Sequence, residues 1–267
     1  MKELLDMQNE RDTRQIAIDR VGVRDVKFPI VVRDKKHRTQ STVATVALMV
    51  DLPSEFKGTH MSRFVEALHE HRHYLDVHTA VGLPARLLEK FHAQCAHVDL
   101  EFPFFLVKKA PVTGFEGMMD YGVRFQIDAK QGVPTVFTLT LKVPVTTLCP
   151  CSKSMSDKGA HNQRGIVTYS VRFRDSAVWI EDLIAMIESC ASCPVYSLLK
   201  RPDEKYVTDA AYDKPVFVED LVRNVAMATE AHDAFSWYRV EAENFESIHN
   251  HNAYALIERD LSGDGAQ

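Results

Sequence analysis

The sequence predicts an α+β fold on three observations. Long stretches alternate apolar and polar residues and are rich in β-branched side chains, the period of half-buried strands. Between them lie shorter stretches with apolar residues at helical spacing. The order β-β-α-α-β-β then occurs twice, with the turn signal QGVP between the copies. The expected architecture is two tandem units, each an antiparallel sheet covered by a helix pair.

Residues 1–20 read as an arm. The first unit, 21–131, opens with VGVRDVKFPIVVRD and TQSTVATVALMVDLP, two strands separated by the polar turn KKHR. SRFVEALHEHRHYL carries Phe64, Val65, Leu68 and Leu75 near helical spacing, and GLPARLLEKFHAQC does the same with Leu87, Leu88, Phe91 and Cys95. HVDLEFPFFLVKKA and MMDYGVRFQIDAK return to strand character. The second unit, 132–260, begins with strands PTVFTLTLKVPVTTL and GIVTYSVRFR. VWIEDLIAMIES follows as an amphipathic helix with Ile180, Leu183, Ile184 and Ile187 on one face. A loop rich in charge, proline and tyrosine leads to the helix FVEDLVRNVAMATEAH, and SWYRVEAENFES and NAYALIERD close as strands. Residues 261–267 read as a flexible tail.

At 267 residues, 45% hydrophobic and 26% charged, the chain has an ordinary globular composition and enough length for a substantial core. A net charge of −5 gives no electrostatic reason to expect nucleic acid. No apolar run approaches the ~18 residues of a membrane span. The polar start, MKELLDMQNERDTRQ, lacks a signal-peptide core. Five cysteines, an odd count without scaffold spacing, suit a reducing cytoplasm.

The chemistry concentrates in Thr146–Gly165, TTLCPCSKSMSDKGAHNQRG. Cys149 and Cys151 flank a proline directly after a strand, in what reads as a rigid CPC turn, and His161 ends the polar loop that follows. Thiolate plus imidazole is a donor set that suits zinc or a similar divalent ion; a buried cysteine pair beside a polar loop is the plain alternative. Lys153, Lys158 and Arg164 bring cations to the same loop, where an anionic substrate could meet them. Cys190 and Cys193 form a CxxC at the end of an amphipathic helix and read as packing. The histidines of EALHEHRHYLDVHTA mix with Glu and Arg, the pattern of a solvated helix face. His249 and His251 alternate around Asn250, so a strand there would project both to one face, where two imidazoles suit proton transfer near neutral pH.

TTLCPCSK, GAHNQRG, RPDEKYVT, FVEDLVR and ESIHNHNAY, in that order, closely resemble the type IB GTP cyclohydrolases, prokaryotic enzymes that open folate and pterin biosynthesis. The likeness runs from MQNERDTRQIAIDRVGV through nearly the whole chain. It implies a tunnelling fold in two tandem units, joined into a homo-oligomer, a dimer or tetramer, with active sites at subunit interfaces. The implied reaction converts GTP and water to 7,8-dihydroneopterin triphosphate and formate, with a metal activating the water that attacks C8. The resemblance makes Cys149 and His161 metal ligands, Cys149 catalytically important, and His249 and His251 proton shuttles. It also assigns Glu204 to the metal; a carboxylate ligand widens the choice from zinc to manganese or iron. By residue type alone, Glu204 reads as a solvated charge beside Asp203 and Lys205. For Cys151, a second ligand, a redox partner and a thiol behind the ligand all remain open. Glu219, which by position alone could compensate a helix dipole, is the implied anchor of the guanine ring. Lys153, Lys158, Arg164, Lys200 and Arg201 are the candidates for the triphosphate. Two rivals are a related nitrile reductase, whose ESKSLK-type motif is absent, and a zinc-stapled interaction module using CPC and CASC.

Overall fold

The computed structural model describes residue 8 and residues 10–70, 77–174 and 178–263, with only the backbone of 77–79. The class is α+β, with a large antiparallel sheet that holds nine strands among the described residues. The chain divides into two compact units, Met1–Phe102 with Arg124–Thr138, and Pro103–Val123 with Leu139–Gln267.

In the first unit, β1 (Ile18–Asp34) pairs antiparallel with β2 (Arg38–Leu52) in a register that sets Ile30 opposite Thr42 and Asp34 opposite Arg38. The Asp34 carboxylate closes the hairpin by accepting from the Lys36 N–H at 2.8 Å and the His37 N–H at 2.5 Å. Next in the ladder stand β3 (Cys95–Lys109) and β4 (Glu116–Lys130). The alternation puts Val46, Leu48 and Val50 of β2 fully inside. Helices α1 (Met61–His69) and α2 (Val77–Phe91) contribute Phe64, Leu68, Leu83 and Leu87 to this core, and the rings of Phe64 and Phe91 stack 4.2 Å apart. Leu75 and the histidines of 71–78 fall outside the described side chains.

The second unit runs β5 (Val133–Leu148), α3 (Pro150–Met155), β6 (Asn162–Phe173), α4 (Ile180–Cys190), β7 (Cys193–Pro194), α5 (Arg201–Asp213), α6 (Val218–Glu230), β8 (Phe235–Asn244) and β9 (Ala253–Asp260). Its ladder follows β5-β6-β8-β9, with β7 paired to β5. Val143, Val145, Val167, Tyr169, Val240 and Ala242 line the buried face of the strands. Leu183, Ile184 and Ile187 of α4 are buried as its spacing implied, while Ile180 at its start is half-buried, and α6 buries Leu221, Val222 and Val225. Truncating one such residue to alanine typically costs about 2–5 kcal/mol.

Four expectations need correction. Two separate sheets were expected, but β3 and β4 are long enough to contribute residues to both units. The charged segment after α4 is not a loop, because RPDEKYVTDAAYD forms α5. Pro202 suits the first turn of a helix, and Asp203 folds back to accept from the Lys200 N–H at 2.9 Å. The CPC segment is not a bare turn, since Cys149 is the N-cap of the short helix α3. Finally, β8 stops at Asn244 and β9 starts at Ala253, so His249 and His251 lie in a bend segment rather than a strand.

Candidate active site

The end of β5, the start of β6, the start of α6 and the β8–β9 connection meet at a pocket of about 250 Å³ in the second unit. Its lining includes Cys149, His161, Gln163, Glu219, Asn244, Glu246, His249 and His251.

Cys149 follows the last residue of β5. Pro150 fixes the first turn of α3, and the Cys149 sulfur accepts from the Ser152 N–H at 3.4 Å. The Cys149 N–H donates to the His161 carbonyl at 3.1 Å, and the His161 N–H donates to the Ser152 hydroxyl at 3.2 Å. These bonds close the polar loop on itself and bring thiol and imidazole to one pocket. His161 Nδ1 lies 3.0 Å from Gln163 Oε1 and 3.9 Å from Glu246 Oε2. That carboxylate oxygen is buried and has no hydrogen-bond partner among the described residues.

Val216 N–H donates to the Leu148 carbonyl at 3.0 Å, which ties the chain before α6 to the end of β5. Glu219 therefore stands at the pocket, exposed in the first turn of α6. His249 and His251 are exposed, and their rings stack with centroids 5.1 Å apart and planes inclined by 21°. Asn252 donates to Glu243 at 2.8 Å and Phe245 N–H to the Arg164 carbonyl at 2.9 Å, bracing both ends of the segment that carries them.

Other sequence-derived candidates lie outside this lining. Cys151 is exposed on α3. Lys153 reaches α5, donating to the Tyr212 carbonyl at 2.5 Å with its ammonium 4.3 Å from the Tyr212 ring centre. Arg164 is exposed on β6, opposite Thr146. Lys158 and Arg201 are exposed, and Lys200, at the N-cap of α5, lies 5.5 Å from the Phe115 ring centre. Glu204 is exposed in the first turn of α5. Its neighbour Asp203 is fully buried and accepts from Val112 N–H at 2.9 Å, Thr113 N–H at 2.8 Å and the Thr113 hydroxyl at 2.6 Å. Asp203 is thus the latch that docks α5.

Cys190 and Cys193 are buried away from the pocket, and burial pushes both thiols above their ordinary pKa. Among the described residues, no group of three or more His, Cys, Asp or Glu side chains is drawn together as a ready metal cage. Even so, the donor types suit a divalent ion: a thiol, an imidazole and an orphaned buried carboxylate oxygen share one pocket. Glu246 and Gln163 were not singled out from the sequence. Both lie inside motifs that carry the resemblance, Gln163 in GAHNQRG and Glu246 at the start of ESIHNHNAY, which were the signal that could have found them.

The fold is one shared with urate oxidases. The structure of urate oxidase from Bacillus subtilis 168 aligns with a TM-score of 0.55 at 8% identity, covering 90% of this chain and 98% of that one. Uricase from Arthrobacter globiformis gives 0.53 at 10% identity over 93% and 95% of the two chains. Sequence defines the family more narrowly. Residues 4–255 match the family described as Type I GTP cyclohydrolase folE2, and the chain belongs to that family. A relative named GTP cyclohydrolase FolE2 from Akkermansia muciniphila is 68% identical over 262 residues, covering 98% of this chain and 99% of its own. The protein of that name from Geobacter metallireducens is 52% identical, covering 97% and 98%.

Proposed function

We propose that this chain is a GTP cyclohydrolase of type IB, converting GTP and water to 7,8-dihydroneopterin triphosphate and formate as the first step of tetrahydrofolate biosynthesis. One observation carries the reading: Cys149, His161, Glu219, His249 and His251, distant in sequence, line a single pocket.

In this reading Glu219 accepts from N1–H and the 2-amino group of guanine, two donors spaced for one carboxylate. Cys149 and His161 hold a divalent ion, zinc, manganese or iron, with the Glu246 carboxylate 3.9 Å from the His161 ring. Glu204, exposed on α5, and Cys151, exposed on α3, are the further candidate ligands of this reading. The ion, when bound, supplies Lewis-acid activation of water. His249 and His251, at the pocket and open to solvent, move protons to the ring nitrogens freed as the bonds at C8 break, and then to and from the ribose during ring closure. Lys153 and Arg164 remain candidates for the triphosphate, together with Lys158, Lys200 and Arg201.

The finer architecture belongs to the same reading: two tandem tunnelling-fold units, assembled as a homo-oligomer with active sites at subunit interfaces. A cytoplasmic location fits a chain in which no helix among the described residues is long and apolar enough to cross a membrane. The test is to incubate the purified protein with GTP and each of the three ions, measuring formate and the pterin product. No formate with any ion would overturn the proposal.

A further inference from the structure

For His161 to serve as a ligand, one of its ring nitrogens must offer a lone pair. We propose that Gln163 is a positioning residue that holds the His161 proton on Nδ1, leaving Nε2 as the nitrogen available to a divalent ion. The inference rests on the reading of His161 as a ligand.

His161 and Gln163 are two residues apart at the entry to β6, so their side chains leave the same face. Gln163 stands opposite Thr147 in the β5–β6 register, which makes those two side chains direct cross-strand neighbours. Thr147 is fully buried and Gln163 is 8% exposed, so water does not compete for their polar atoms. The Gln163 Nε2–H donates to the Thr147 hydroxyl oxygen at 2.8 Å. Anchored that way, the amide turns Oε1 toward His161 Nδ1 at 3.0 Å. A carbonyl oxygen can only accept, so the ring nitrogen facing it must carry the proton. An amide turned the other way would set its NH₂ against the ring and remove the acceptor that Nδ1–H requires. The chain Thr147–Gln163–His161 thus converts strand register into a choice of tautomer.

A histidine that holds a metal commonly donates its second N–H to a fixed acceptor, and loss of that acceptor costs about 10–100-fold in metal affinity. The test uses the full-length protein, free of metal and labelled with ¹⁵N at histidine, with His161→Ala to identify the His161 signals. Near neutral pH the wild type should show the Nδ1–H tautomer. Gln163→Leu should shift His161 toward Nε2–H and weaken Mn²⁺ binding by about 10–100-fold, whereas Gln163→Glu, which still offers an acceptor, should keep both near wild type. If the leucine variant does not fold by circular dichroism, Thr147→Val loosens the same amide at constant shape and should shift the tautomer in the same direction. An Nε2–H tautomer in the wild type overturns the inference, as does an unchanged tautomer in the folded variant. If His161→Ala binds Mn²⁺ as well as wild type, the ligand reading itself fails. If His161→Ala loses binding while Gln163→Leu changes nothing, only the role of Gln163 fails.

Discussion

The backbone N–H of Cys149 meets the carbonyl of His161 at 3.1 Å, so one hydrogen bond joins the two ends of the polar loop between β5 and β6. Thiol and imidazole are therefore positioned by the sheet ends together with the Ser152 bonds inside the loop. Replacing Cys149 or His161 by alanine should abolish formate release and weaken divalent-ion binding. The fold should persist, because neither side chain belongs to the buried apolar core. Full activity with normal metal content in Cys149→Ala would refute this assignment, and a circular dichroism melt would check the fold.

Glu219→Gln should lower kcat/KM for GTP by roughly tenfold to more than a hundredfold. The glutamine replaces one acceptor with a donor that opposes guanine's own donors, a mismatch worth about 1–3 kcal/mol or more. ITP, which lacks the 2-amino group, should be a poor substrate for the wild type. If Glu219 only compensates the helix dipole, the variant's kinetics will match wild type and its melting point will fall slightly.

Glu246→Gln should depress turnover and divalent-ion affinity together, since it removes the carboxylate charge beside His161 Nδ1. Calorimetric titration of the metal-free protein with Mn²⁺ measures the second effect independently of catalysis. Wild-type affinity in the variant would leave the orphaned oxygen without a ligand role.

A different kind of charge pair lies inside the second unit. Lys108 Nζ lies 2.6 Å from Glu188 Oε1 and donates to the Val195 carbonyl at 2.8 Å, while the Tyr121 hydroxyl donates to the same Glu188 oxygen at 2.8 Å. Burial lowers the Lys108 pKa, and the Glu188 carboxylate opposes that shift. Glu188→Ala leaves the ammonium without its counter-charge and should destabilise the protein by about 3–5 kcal/mol in a denaturant titration. Adding Lys108→Met should recover much of that loss; a double variant as unstable as the single one would argue against charge pairing as the cause.

Asp203 should make stability depend on acid. Burial raises its carboxyl pKa, but hydrogen bonds from the Thr113 hydroxyl and from the N–H groups of Thr113, Lys200 and Val112 outweigh it and hold the group well below the usual carboxylate range. A depressed folded-state pKa stabilises the fold above the unfolded value of about 3.9, and that contribution disappears as pH falls toward the folded value. Asp203→Asn should lower Tm at neutral pH and flatten the decline below about pH 4. Parallel acid profiles for variant and wild type would show that the latch is not electrostatic.

Much of this architecture was legible in the sequence, and the exceptions have physical causes. β2 was readable because Val46, Leu48 and Val50 face a core while their neighbours do not. α5 escaped notice because only Asp203 and Ala211 of its residues are buried, so no apolar stripe marks it. Its signal was Pro202 in the first turn with an aspartate ready to bond back to the N-cap. The histidine pair was expected in a strand because alternate spacing implies one face, yet a bend brings the two rings together just as well. Glu246 lies far along the chain from His161, and no local pattern encodes a distance that only the β6–β8 pairing creates.

The polar groups of the pocket lie mainly where strands end and helices begin: Cys149 just beyond β5, His161 just before β6, Glu219 in the first turn of α6, and the histidine pair between β8 and β9. Selection can therefore exchange these residues without taking a buried apolar side chain from the sheet. The two urate oxidases share this fold at 8–10% identity, so few residue identities are needed to specify it.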